Sequence, residues 1–136
     1  MSTQLKKKSV EELVELFVEL SREQHEFMID GPPSKYNRLY KRVREIAAEL
    51  QSRPGDQRMA LHPLLAHPKL QVKMNAAYIL LDIARDDAFA TLKWVAESRY
   101  TPFNAHAAWT VDAIEENDFP RGSNPNSRFR RGLPDA

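Results

Sequence analysis

The sequence predicts an all-α domain, a short right-handed α-α superhelix of about six helices in three antiparallel pairs. Three observations predict it. Apolar residues recur at spacings of three and four through most of the chain, the period of a helix with one buried face. Proline, glycine and capping residues break those stretches at the intervals expected of helices joined by short turns. Residues 61–83, LHPLLAHPKLQVKMNAAYILLDI, are echoed at 92–114, LKWVAESRYTPFNAHAAWTVDAI, at an offset of 31 residues. That offset lays Leu61 on Leu92, Val72 on Phe103, Ala76 and Ala77 on Ala107 and Ala108, Tyr78 on Trp109, and Ile83 on Ile114. An echo of this length marks stacked helical units.

The first helix starts at Ser9, because Ser9 and Glu12 have capping-box spacing and each can satisfy a free backbone donor at the other. Val10, Leu13, Val14, Phe17, Leu20, Phe27 and Met28 give it one apolar stripe, and Asp30-Gly31-Pro32-Pro33 ends it. Ser34 caps a second helix with Tyr36, Leu39, Tyr40, Val43, Ile46, Ala47 and Leu50 inward and Lys35, Arg38, Lys41, Arg42 and Arg44 outward. Pro54-Gly55 breaks the chain, and Asp56 caps a third helix running to about Ala66, bent at Pro63.

After the His67-Pro68 turn, MNAAYILLDIA is apolar on nearly all sides, which places the fourth helix at the centre of the core. Asp86 or Asp87 caps a fifth helix with Phe89, Leu92, Val95 and Ala96 inward, and Thr101-Pro102 opens a sixth that ends near Asn117. The expected organisation is a flexible N-terminus at 1–8, a helical domain at 9–117, and a disordered basic tail at 118–136, where three prolines and two glycines interrupt any apolar period.

The composition narrows the function classes. At 136 residues the chain is long enough for one core and too short for two. Residues 1–117 carry 16 Lys and Arg against 17 Asp and Glu, while 118–136 carry 4 Arg against 2 Asp, so the body lacks the basic surplus of a duplex-binding domain. With no cysteine, disulfides, thiolate nucleophiles and cysteine zinc sites fall away. No run approaches the ~20 apolar residues of a membrane span, and SVEELVELFVEL is too acidic for an export segment. The expected location is cytoplasmic, with no membrane partner.

Leu61, Pro63, Leu64, Leu65, His67, Pro68, Val72, Lys73, Ala76, Ala77 and Leu80 resemble a HEAT repeat unit, in which a kinked helix and a turn precede a Val-Arg pair, an Ala pair and a Leu. Lys73 stands where Arg is usual, and Phe103-Asn104 replaces the pair in the second copy, which is degenerate. SKYNRLYKRV at 34–43, GDQRMALHPLLAHP at 55–68 and QVKMNAAYILL at 71–81 are similar to a family of small bacterial proteins known only as a domain of unknown function. The resemblance implies an all-helical HEAT/armadillo-like fold and brings no active site.

Two surface constellations emerge from the spacing. Gln71, Asn75, Tyr78 and Asp82 share one face of the fourth helix, and the repeat offset adds His106 and Trp109. Asn75, Tyr78, Asp82, His106 and Trp109 are therefore the candidate partner-binding patch, of the polar-aromatic kind that anchors proteins. Tyr78 and Trp109 are equally of a size to complete the core between units. Lys35, Arg38, Lys41, Arg42 and Arg44 are the candidates for contact with nucleic acid or an acidic partner, against the plainer reading of a solvated helix face.

His25, His62, His67 and His106 show no zinc-protease spacing, and the adjacent acidic pairs diverge on a helix, so no metal, cofactor or catalytic set is expected. The expected function is non-enzymatic protein binding, as a bacterial accessory protein or the immunity protein of a cognate toxin. The alternative is a nucleic-acid-binding HEAT-like protein using the basic face of the second helix.

Overall fold

The computed structural model describes residues 2–117, and the expected tail at 118–136 lies outside them. Among the described residues every regular element is helical: α1 (Ser2–Lys6), α2 (Val10–Asp30), α3 (Pro33–Ser52), a 3-10 helix (Gln57–Ala66), α4 (Leu70–Leu80), α5 (Arg85–Ala96) and α6 (Phe103–Asn117). Packing is heaviest between chain neighbours, α2 on α3, the 3-10 helix on α4, and α5 on α6, with α4 also touching α2 and α5.

The capping box forms as its spacing predicts. The Glu12 amide donates to Ser9 Oγ at 3.1 Å and the Ser9 amide donates to Glu12 Oε1 at 2.8 Å. Those bonds hold the Glu12 carboxyl below its ordinary pKa.

Four details differ from the sequence expectation. The N-terminus expected to be flexible at 1–8 is held down where it is described: Leu5 on α1 is buried, and the Arg53 guanidinium donates to the carbonyls of Leu5 at 3.0 Å and Lys8 at 2.8 Å while pairing with Glu49. The segment before His67 winds as a 3-10 helix throughout, since Pro63 inside it has no amide to donate and crowds the preceding turn of an α-helix. Helix α3 begins at Pro33, one residue ahead of Ser34, using proline's preset φ at the first helical position. Asp86 and Asp87 sit within the first turn of α5 instead of capping it, where their charges still face the positive end of the helix dipole.

The core forms two clusters joined by α4. Leu13, Phe17 and Leu20 meet Leu39, Val43, Ile46 and Leu50 on one side, with Leu61, Ala76 and Ile79 closing it. On the other side Met74, Ala77, Leu80 and Leu81 meet Leu92, Val95, Phe103, Ala107 and Val111. As the sequence predicts, α4 is the central helix: ten of its eleven residues are buried. The exception is Lys73.

Candidate functional site

The face predicted for partner binding is largely internal. Asn75 is 1% exposed and Tyr78 is 7% exposed, so neither presents a surface, and this corrects the sequence expectation. The physical reason is a polar network spanning α2, α3 and α4. Asn75 Nδ2 donates to Ser21 Oγ at 2.9 Å and Gln24 Oε1 at 2.8 Å, Gln71 Nε2 donates to Asn75 Oδ1 at 3.0 Å, and the Tyr36 hydroxyl donates to Gln71 Oε1 at 3.3 Å. Burial pushes the Tyr36 hydroxyl up to about 12 and the Tyr78 hydroxyl higher still, so both stay protonated.

Asp82 is also structural. Its carboxylate lies 3.5 Å from the Arg58 guanidinium, which is buried and held from the other side by Asp56 at 2.7 Å. Desolvation raises the Asp82 pKa while Arg58 opposes the rise. The arrangement ties the start of the 3-10 helix to the end of α4. His106 and Trp109 on α6 are half-buried, and the network keeps the predicted five residues from acting as one surface.

Of the five basic candidates, Lys35, Arg38 and Arg42 converge on one hollow between α2 and α3, while Lys41 and Arg44 do not line it. The solvated face predicted for this helix is thus split in two.

The feature that sequence reasoning missed is a cleft of about 450 Å³ where the turn after the 3-10 helix meets the turn between α5 and α6. Its floor is His25 from α2 and Phe103 from α6, with ring centroids 4.8 Å apart and 27° between planes. One wall is the turn His67-Pro68-Lys69, and the other is Trp94 with Tyr100 and Thr101. Lys73 stands between the walls, its ammonium 4.9 Å from the Trp94 ring centroid and donating to the Leu65 carbonyl at 2.8 Å.

This site has the marks of a binding surface. Trp94 is 55% exposed and Tyr100 is 57% exposed, whereas the other Phe, Tyr and Trp among the described residues are buried or half-buried. Among the described residues no carboxylate lines the cleft, whereas two lysines and two histidines do. The Lys69 amide donates to His67 Nδ1 at 3.0 Å, which places the neutral ring's proton on Nε2 and leaves that nitrogen a donor.

Burial lowers the pKa of Lys73 and of both histidines, with Lys69 lowering each histidine further, Arg22 and Lys73 adding to the effect on His67, and Glu26 partly offsetting it on His25. The set is one of cationic and neutral donors beside flat aromatic faces. It suits an anionic group carried next to an apolar or planar one.

Two sequence signals pointed here. Trp94 falls off the apolar stripe of α5 set by Leu92 and Val95, and Lys73 is the lone cation within an otherwise buried helix.

His62 Nε2 lies 2.8 Å from Asp87 on α5, an exposed tether away from the cleft. Among the described residues no three His, Asp or Glu side chains converge as a metal site, and no helix is long and apolar enough to cross a membrane.

The sequence matches a domain of unknown function, DUF2019, over residues 11–115. The crystal structure of the protein RPA1889 from Rhodopseudomonas palustris CGA009 is similar, with a TM-score of 0.80 at 33% sequence identity, covering 85% of this chain and 96% of that one. No curated protein matches significantly.

Proposed function

The chain belongs to the DUF2019 family, and from that premise we propose that it is a non-enzymatic protein-binding module of HEAT-like build, which grips an acidic, aromatic- or aliphatic-bearing segment of a partner protein in the Lys73–Trp94 cleft. One observation carries this reading: two exposed aromatics flank a concave surface lined by cations and histidines and, among the described residues, by no carboxylate. Exposed Trp and Tyr beside a basic residue are the side chains that dominate binding energy at protein interfaces.

The partner's acidic groups would meet the lysine ammonium groups and His67 Nε2, while its apolar side chain lies against Trp94 and Tyr100. The HEAT-like build is supported by the sequential pairing of α2 with α3, the 3-10 helix with α4, and α5 with α6. Neutralisation of a cognate toxin is one use of such a module.

The test is selection of peptides from a random library on the full chain, with Trp94→Ala as counter-selection. Recovered peptides should be rich in Asp and Glu around one apolar residue and should lose at least tenfold in affinity for Trp94→Ala. Recovery of basic peptides, or equal affinity for the variant, would sink the reading. For the toxin form, the product of the neighbouring reading frame should co-purify with the wild type and not with Trp94→Ala.

A further inference from the structure

A second concave site lies on a different side-chain set and does not depend on the cleft. The hollow of about 230 Å³ between α2 and α3 is lined by Phe27 and Glu23 from α2 and by Lys35, Arg38, Leu39 and Arg42 from α3. Spacings of three, one and three along α3 put these four residues on one face.

Lys35 is held over the Phe27 ring at 5.3 Å, and both residues line the hollow. Arg42 is half-buried, and its Nε is sealed from solvent with no hydrogen-bond acceptor among the described residues. None of the three cations has a carboxylate within 4.0 Å among those residues, although Glu23 shares the lining. Three cations gathered at one hollow without a paired carboxylate call for an anionic acceptor, which would meet their other N–H groups, Arg42 Nε itself being sealed.

We propose that this hollow binds a phosphate-monoester group, with Arg38 and Arg42 presenting their planar forks to its oxygens and Lys35 adding a point charge. Three cations in one concavity match a dianion with three terminal oxygens better than a single carboxylate. Phe27 and Leu39 provide apolar contact for whatever the phosphate is attached to. The separation from Lys41 and Arg44 argues against a track for a nucleic-acid backbone, because a strand needs successive phosphate contacts along a groove. The Glu23 carboxylate on the lining disfavours a polyanion further.

The full chain titrated with phosphoserine, with inorganic phosphate and with acetate, followed through amide and arginine Nε–H NMR signals, tests the site. Phosphoserine should shift the Arg42 Nε–H signal and the amides of Phe27 and Leu39, and acetate should not. Arg38→Gln and Arg42→Gln should each weaken binding about tenfold. Lys41→Gln and Arg44→Gln should leave it unchanged, and Glu23→Gln should tighten it.

Tighter binding of phosphoserine than of inorganic phosphate supports the ester, and equal or weaker binding overturns it in favour of free phosphate. Lys35→Gln guards against misfolding, because this exposed side chain can be removed without opening the core. Absence of any shift, an equal response to acetate, or binding of a single-stranded oligonucleotide that depends as strongly on Lys41 and Arg44 would each overturn the proposal.

Discussion

The buried network around Asn75 and the open cleft around Lys73 lie on the same helix, two residues apart, and do opposite things with polar side chains. In the network, Asn75 and Gln71 find their partners in Ser21, Gln24 and Tyr36 across three helices, and all of these but the half-buried Tyr36 lie away from solvent. In the cleft, Lys73, His67 and His25 stand beside exposed Trp94 and Tyr100, with donors left over. A polar group whose partners lie within the fold holds the fold together; one whose partners are missing beside exposed aromatics faces a ligand.

The largest expected effect falls on the closed member of the pair. Asn75→Ala removes three hydrogen bonds and leaves buried partners unmatched, and urea unfolding should show a loss of about 3 kcal/mol. Binding in the cleft by the folded fraction should be unchanged. Were Asn75→Ala instead to spare stability and lose binding, the sequence-predicted patch would be restored.

Trp94→Ala should do the reverse. Affinity for an acidic segment should fall at least tenfold, about 1.4 kcal/mol, while unfolding moves by less than about 0.5 kcal/mol. Calorimetric titration and urea unfolding on one sample separate the two outcomes.

Acidification pulls the two regions apart. His25, His67 and His106 have folded-state pKa values below the ordinary 6.5, so the unfolded chain binds protons more readily than the folded one. The stability they contribute is complete above the unfolded value and is lost as pH falls from about 6.5 through the folded values. Protonating His25 and His67 also adds positive charge to the cleft, so an acidic segment should bind more tightly as the pH falls through their folded values than at pH 7.5, even as the fold weakens. A binding curve that fell in parallel with stability would break the distinction.

The smallest effect is expected at His62→Ala. Its contact with Asp87 is exposed, so stability should change by less than about 0.5 kcal/mol and binding not at all.

Much of the fold was legible because its signals are local. The Ser9–Glu12 capping box and the nearly all-apolar run of α4 each lie within a few residues. Helix α1 was not legible: five residues show no period, and its tether comes from Arg53, distant in the chain.

The burial of the predicted face was hidden for a related reason. Helical spacing states which residues share a face and says nothing of what covers it, and Asn75 is covered by Ser21 and Gln24, 54 and 51 residues away. The repeat offset then drew Trp109 into the patch, although Trp94 was the tryptophan off its helix's apolar stripe.

The two tryptophans make the decisive measurement a direct one. Each gives its own indole N–H signal by NMR, assigned with Trp94→Phe and Trp109→Phe, and an acidic library-selected peptide is titrated into the full chain. The cleft account predicts that the Trp94 signal shifts in proportion to bound peptide while the Trp109 signal stays in place. Movement of the Trp109 signal with Trp94 unmoved would contradict it and return the binding site to the face first read from the sequence.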